Sequence, residues 1–202
     1  MGEGLVFPRF REQGVRDDCL ERLLEAARAA PAEWSLPMWR WIVARSATAK
    51  KYLEGATSLQ LPLSTAPVIL ICLADTLAWK SAPQYFHELV ASHRITEEEG
   101  RESLRRLREY YSTSPEIAKR SALTNALVAV HRVVVGAAEC GLSAYWVTEF
   151  DEAKIKNHFH VPDQFLVAAL LPLGYREEAP VPAVSKPSSP TIIYREKFGE
   201  PV

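Results

Sequence analysis

Two uninterrupted apolar runs constrain the fold of this chain more than any other feature of its sequence. Residues 67–74 read PVILICLA, and residues 165–173 form a second apolar run that Gly174 ends. Runs of this length without polar alternation are typical of strands that are covered on both faces. The sheet that contains them needs helices on each side, and the pattern therefore predicts an α+β fold.

The segments around these runs supply the helices. Residues 115–140 are predicted to form a long helix with apolar residues on most sides, as expected of a central helix or one buried in a subunit interface. Residues 20–27 form an amphipathic helix that Asp17 or Asp18 can cap and that Pro31 stops. The remaining pattern predicts strands at 39–43, 144–147 and 191–194, short helices at 47–53 and after Asp151, and a charged helical region at 79–111.

Composition and charge exclude several kinds of partner. A formal net charge of −1 gives no indication of nucleic acid or an anionic membrane as a partner. No apolar run approaches the roughly 20 residues of a membrane helix, and no signal peptide is evident.

The three cysteines, Cys19, Cys72 and Cys140, are scattered along the chain, which favours reduced thiols over disulfides. We expect one domain of 202 residues in the cytoplasm.

The motifs of several enzyme classes are missing from the sequence. His158 and His160 form the only close histidine pair, and no further ligand cluster completes a metal site there. Neither a G-x-S-x-G nucleophile elbow nor a glycine-rich phosphate loop of the G-x-x-x-x-G-K or G-x-G-x-x-G type occurs. His131 is interpreted as a core or interface residue of the long helix. Metal-dependent catalysis and hydrolase chemistry of this kind are therefore not predicted.

Tryptophans mark the core and a candidate ligand site. Trp39 and Trp41 point to the same face of their predicted strand and are interpreted as core residues. Trp34 and Trp146 stand beside loops, where they can either pack in the core or line a planar ligand. Trp34 lies between the first helix and the first strand, and loops at such junctions commonly hold ligands.

Six stretches of the chain, in the same order, resemble the nitroreductase family of flavin enzymes. The most similar are AAECGLSAYWVTEFD at 137–151 and AALLPLGY at 168–175. The resemblance implies a mostly antiparallel central sheet surrounded by helices, in an intertwined homodimer with FMN at the subunit interface. It also implies an N-terminal arm at 1–12, a helical region covering the site at 82–112, and a C-terminal extension onto the partner at 180–202. The other stretches are 10–27, 31–43, 66–74, and Lys186-Pro187 followed by 192–194.

The same resemblance implies which residues hold FMN. Arg9 in the arm, or Arg11 in a shifted register, and Lys186 near the C-terminus would meet the phosphate. Gln60 would serve the pyrimidine edge, and a backbone amide at Thr148 or Glu149 would reach flavin N5. The remaining implied cofactor-binding residues are Pro31, Ala32, Glu33 and Ser35, on the loop laid on the flavin by the partner subunit, and Trp146 and Val147.

The sequence departs from the family pattern at several of these positions. The arm lacks the arginines that the family uses for the phosphate, Glu33 brings a negative charge to the flavin loop, and Pro37 replaces a glutamine. Missing contacts of this kind weaken FMN binding by about 1.5–3 kcal/mol per charged hydrogen bond. The arm positions concerned are Gly4, Leu5, Val6, Phe7 and Pro8.

Three functions agree with this pattern. The resemblance implies an FMN-dependent oxidoreductase that passes electrons from NAD(P)H to a small acceptor, such as a nitroaromatic or a quinone, in a ping-pong reaction. The departures favour an alternative in which the fold has lost flavin chemistry and serves as a binding or partner protein. A third interpretation keeps the flavin but changes the reaction, for example to azoline oxidation, dehalogenation or flavin breakdown.

Overall fold

The structure is a computed structural model that describes residues 7–177 and 193–200. In chain order, its helices and strands are α1 (Asp17–Arg28), β1 (Trp39–Ala44), α2 (Ala47–Glu54), α3 (Gln60–Thr65), β2 (Val68–Asp75), α4 (Ala82–Ala91), α5 (Glu97–Ser112), α6 (Pro115–Glu139), β3 (Ser143–Ala144), α7 (Glu152–His158) and β4 (Phe165–Gly174). Two 3-10 turns, Glu33–Ser35 and Ala78–Ser81, precede β1 and α4.

The four described strands form one antiparallel sheet in the order β1–β2–β4–β3. β2 pairs with β1 on one side and with β4 on the other, with a bulge between Cys72 and Leu73 on the β4 side. β3 pairs with the last residues of β4. The two apolar runs thus become the two inner strands, and the predicted antiparallel sheet surrounded by helices is confirmed.

Helices cover both faces of the sheet and create two cores. The side chains of β2 alternate between the two faces of the sheet, and every residue of β2 is buried because both faces are covered. Leu70 and Cys72 belong to the core shared with α1, α4, α5 and α6, which we call the α6-side core. Ile69 and Ile71 belong to the core shared with α2, α3 and α7, which we call the α2-side core. Burial on both faces is what the uninterrupted apolar runs predicted.

The long helix α6 is central, as predicted, but its apolar surface is only partly covered. It packs against α1 and all four strands, and Gly136 permits close approach to Leu23. Among the described residues it is the one helix long and apolar enough to cross a membrane by length and composition, and 44% of its most apolar stretch is buried inside the fold. Val135 is 45% exposed. A core helix of this length passes the same test. The part of α6 that the fold leaves uncovered forms an apolar patch at the surface.

Helices α6 and α7 begin at side-chain caps, whereas α1 lacks the cap that was predicted for it. Ser114 accepts the Glu116 N–H at the start of α6, and Asp151 accepts the Lys154 N–H at the start of α7. At α1 the predicted cap is wrong, because Arg16 occupies the N-cap position and makes no side-chain bond there. Asp17 and Asp18 lie instead in the first turn, where carboxylates favour the helix dipole.

The predicted strand at 144–147 is only partly formed, for a reason that lies in β4. β3 contains Ser143 and Ala144 alone, although Val147 pairs again with Leu170 in the same register. Between them, the Tyr145 N–H donates to the Pro172 carbonyl at 3.0 Å. Pro172 has no N–H to return, so the ladder is interrupted there. Another strand was predicted at 191–194, and its residues 191 and 192 lie outside the described residues. Helix α3 was not predicted.

Candidate functional site

The N-terminal arm lies alongside the chain that follows β4. Phe10 pairs with Arg176, and the Arg11 N–H donates to the Tyr175 carbonyl at 2.8 Å. The exposed Arg9 guanidinium, predicted to meet the phosphate, forms an ion pair with Glu177 at 3.4 Å. The arm and β4 are therefore fixed to each other, and Arg9 has an anionic partner within the chain. Lys186, the second predicted phosphate residue, lies outside the described residues.

The loop between α1 and β1 has an unusual backbone. Trp34 and Ser35 have φ values of 57° and 55°, and neither is a glycine. This left-handed conformation costs about 1–2 kcal/mol per residue, so surrounding contacts must hold it. Pro31, Glu33 and Ser35 are exposed and Ala32 is half-buried, whereas Leu36 is buried in the α6-side core. The loop thus presents Pro31, Glu33 and Ser35 at the surface.

Two residues that the sequence did not single out hold this loop. Asn125 on α6 is buried; its Oδ1 accepts the Glu33 N–H at 2.7 Å, and its Nδ2 donates to the Ser121 carbonyl at 2.8 Å. Tyr111 on α5 donates its hydroxyl to the Glu33 carboxylate at 3.3 Å. Burial raises the pKa of Tyr111 to about 12, so the hydroxyl keeps its proton at neutral pH. Residue 33 is therefore held at both its backbone and its side chain.

The segment after β3 offers free backbone donors at the surface. Val147 is buried and exchanges two backbone hydrogen bonds with Leu170, at 3.0 and 2.9 Å. Within the part of the chain that the structure describes, the N–H groups of Thr148 and Glu149 donate no hydrogen bond, and both residues are exposed. Trp146 is 38% exposed. These two amides can bind an acceptor group of a ligand, and Trp146 can lie beside it.

The loop between α2 and α3 joins this segment. The Thr57 hydroxyl donates to the Glu149 carbonyl at 2.5 Å, and the Ser58 hydroxyl donates to the Glu149 carboxylate at 2.5 Å. A shallow cavity of about 300 Å³ lies along the junction, between residues 55–58 and 149–154. Gln60, predicted to serve the pyrimidine edge, is exposed at the start of α3, two residues beyond Ser58.

The predicted site residues fall into two groups on opposite faces of the sheet. Phe10, Ala56 and Val147 belong to the α2-side core, and the 55–60 loop bonds Glu149, so the arm, this loop and residues 147–149 share one side of the sheet. The ring of Phe7 meets Tyr145 edge-on at 5.9 Å, which fixes the arm beside that segment. Leu36 and Trp34 pack on the α6-side core instead. One chain therefore does not bring the 31–35 loop to the other predicted residues.

The described ranges 7–177 and 193–200 contain neither a cluster of metal ligands nor a disulfide. No group of three or more His, Cys, Asp or Glu residues there can hold a metal ion. Cys19 and Cys72 are buried, Cys140 is half-buried, and all three are free thiols. Burial raises the pKa of the Cys72 thiol well above its usual range, which makes it unreactive.

Comparison with known proteins identifies relatives over nearly the whole chain. The sequence model of the nitroreductase family matches residues 9–175. The chain is 26% identical over 189 residues to the NADH dehydrogenase of Thermus thermophilus, covering 93% of this chain and 90% of the relative. It is 24% identical over 155 residues to YodC of Bacillus subtilis, named as an NAD(P)H nitroreductase, covering 77% of this chain and 76% of YodC.

Solved structures with the same fold include one that contains the flavin. A protein of Exiguobacterium sibiricum, described as a nitroreductase in complex with FMN, matches with a TM-score of 0.81 at 18% identity, over 91% of this chain and 90% of that one. A protein of Staphylococcus epidermidis, described as an NAD(P)H:FMN oxidoreductase, matches with a TM-score of 0.81 at 19% identity, over 90% and 87%. At these identities the likeness concerns the fold.

Proposed function

The chain belongs to the nitroreductase family, and on that premise we propose that it is a dimeric, FMN-dependent oxidoreductase using NAD(P)H. The acceptor in this proposal is a small molecule such as a nitroaromatic or a quinone. The names of the two curated relatives agree with NAD(P)H as the electron donor.

The separation of the predicted site residues carries this proposal. The 31–35 loop packs on the α6-side core and residues 147–149 lie by the α2-side core, so we expect a site that uses both to draw on two copies of the chain. The partly exposed apolar side of α6, with Val135 at 45% exposure, offers a surface that a second copy can cover. Both observations support a homodimer with the site between its subunits.

The described residues fit the flavin ring well and the phosphate less well. The free N–H groups of Thr148 and Glu149 can donate to the ring edge, Gln60 can serve the pyrimidine edge, and Trp146 can cover the ring. Arg9 and Arg11 are the described candidates for the phosphate, and Glu177 competes for Arg9. The partner subunit would contribute Pro31, Ala32, Glu33 and Ser35, and Lys186 would add a cation.

The protein's part is to position the reactants and exclude water. When bound, FMN would supply the redox chemistry that carries a hydride from NAD(P)H to the acceptor. We propose that NAD(P)H and the acceptor enter the same space in turn, which gives ping-pong kinetics. Helices α4 and α5, which correspond to the predicted covering region at 82–112, would close that space and select the acceptor.

Purification and spectroscopy test the proposal directly. We expect a yellow dimer, or an apoprotein that becomes yellow with added FMN, whose visible absorbance is bleached by NADH or NADPH under anaerobic conditions. Addition of a quinone or nitroaromatic should restore the absorbance. A colourless protein that cannot be reconstituted with FMN would overturn the proposal.

A flavin-free binding protein of the same fold is the second candidate, and one observation favours it. Arg9 is already paired with Glu177, and the arm lacks the other arginines. Titration of the apoprotein with FMN separates the two candidates. Saturable binding in the micromolar range or tighter supports the oxidoreductase, and its absence supports the binding protein.

A further inference from the structure

Glu33 poses an electrostatic problem for the proposed function. It lies on the loop that would be laid on the FMN of the partner subunit, and it is exposed. FMN carries a phosphate dianion, and two like charges close together at a water-poor interface repel strongly. A free carboxylate at this position would therefore weaken cofactor binding.

The structure shows that this carboxylate is not free. The Tyr111 hydroxyl donates to it at 3.3 Å, from a ring that is 3% exposed and stacked on Trp79 at 6.0 Å with an interplanar angle of 16°. Because the ring is buried and stacked, the hydroxyl oxygen is fixed in place, and the Met38 sulfur at 4.0 Å is a weaker alternative acceptor for its proton. The donor is held in place before any ligand arrives.

The backbone of the same residue is fixed independently. The Oδ1 atom of Asn125, a buried residue of α6, accepts the Glu33 N–H at 2.7 Å. Tyr111 belongs to a different helix, α5. Trp34 and Ser35 follow with positive φ values, so the chain turns sharply directly after the point of attachment. Asn125 holds the backbone of Glu33 and Tyr111 holds its carboxylate, so the carboxylate lies on the α5 side of the loop.

We propose that Glu33 and Tyr111 are positioning residues: the hydroxyl holds the carboxylate on the α5 side, so that the loop presents its backbone and Ser35 to the anionic cofactor. The cofactor side of this inference rests on the proposed function. The two hydrogen bonds that hold Glu33, to Asn125 and to Tyr111, lie within one chain; we call them the hold. Tyr111 thereby compensates for the charge that distinguishes this loop from the family pattern.

A double-variant cycle on FMN affinity tests the inference. The variants are Tyr111→Phe, Glu33→Gln and the two combined, with Tyr110→Phe as the matched control, because Tyr110 is the exposed neighbour on the same helix. We expect Tyr111→Phe to weaken FMN binding about tenfold at low salt, because the carboxylate is released toward the phosphate. Glu33→Gln should bind FMN as tightly as the wild type or more tightly.

The decisive result is the combined variant. Because its residue 33 carries no charge, we expect it to regain wild-type affinity within about twofold. The loss in Tyr111→Phe should also shrink at high salt, where charges are screened. A combined variant as weak as Tyr111→Phe would assign Tyr111 a packing role only and overturn the inference, as would an unchanged affinity in Tyr111→Phe.

A measurement without FMN keeps this test separate from that of the proposed function. Hydrogen exchange of the apoprotein reports the amides of residues 33–36. We expect faster exchange there in Tyr111→Phe and a smaller increase in Glu33→Gln, whose amide oxygen can still accept the Tyr111 proton. The combined variant should match Tyr111→Phe, and Tyr110→Phe should show no change. If exchange responds in this way and no FMN binds, the hold is real and the proposed function fails. If exchange is unchanged, the hold itself is refuted.

Discussion

At the scale of single residues, Asn125 decides the conformation of the loop before β1. The sequence carried a signal for it, because a lone amide in a helix that is apolar on most sides must find hydrogen-bond partners. The partner could not be inferred, since Glu33 lies 92 residues away along the chain. The positive φ values of Trp34 and Ser35 could not be predicted from the sequence either, because neither residue type favours the left-handed region.

Replacing Asn125 should destabilise the protein through this loop. We expect Asn125→Ala to lower the free energy of unfolding by about 1–3 kcal/mol, because the Glu33 N–H loses its acceptor. Urea unfolding at neutral pH measures the change. Thr124→Ala, at the exposed neighbouring position of α6, is the control and should change stability by less than about 0.5 kcal/mol. Equal effects of the two substitutions would contradict this assignment.

At the scale of elements, the sequence predicted what depends on local pattern. The inner strands β2 and β4 and the helix α6 followed from apolar runs, and helix α7 followed from Asp151, which caps it. Helix α3 was missed because it has six residues and contains Pro62. The interruption after β3 was missed because it depends on Pro172 in another strand, which pattern within 144–147 cannot reveal.

The contact between the arm and the end of β4 depends on a glycine. A Cβ at Gly174 would lie 2.7 Å from the Pro67 ring and 3.0–3.1 Å from Phe10. We expect Gly174→Ala to cost about 1–3 kcal/mol of stability by overpacking, and to loosen the arm. Thermal unfolding measures the first effect and limited proteolysis near residue 10 the second. Gly14→Ala is the control, because nothing lies within 4 Å of its Cβ position, and a similar loss there would refute the argument.

At the scale of the whole molecule, two helical layers on one sheet separate the predicted site into halves. The sequence indicated both layers, because β2 and β4 are apolar throughout. It could not indicate on its own which layer each site residue joins, since that depends on the strand order β1–β2–β4–β3. We expect a second copy to complete the site, and this is the part of the proposed function most open to test.

The exposed part of α6 is where we expect that second copy to pack. Val135→Asp should shift the protein from dimer to monomer and abolish FMN binding with it, because a charge in an apolar interface is costly to desolvate. Sedimentation measures the first effect and FMN titration the second. The isosteric Val135→Thr should remain dimeric. A dimeric Val135→Asp variant, or a monomeric wild type, would show that this surface has another use.

The pairing of β2 with β4 also has a consequence for how the chain acquires its structure. Almost half of the chain lies between these two strands, yet they form the centre of the sheet. Contacts between residues so distant in sequence form slowly, because the loop must close before the pairing stabilises it. During synthesis β2 leaves the ribosome long before β4 does, so β2 remains unpaired and its apolar side chains exposed until β4 has been made. We therefore expect slow folding and a risk of aggregation confined to that interval.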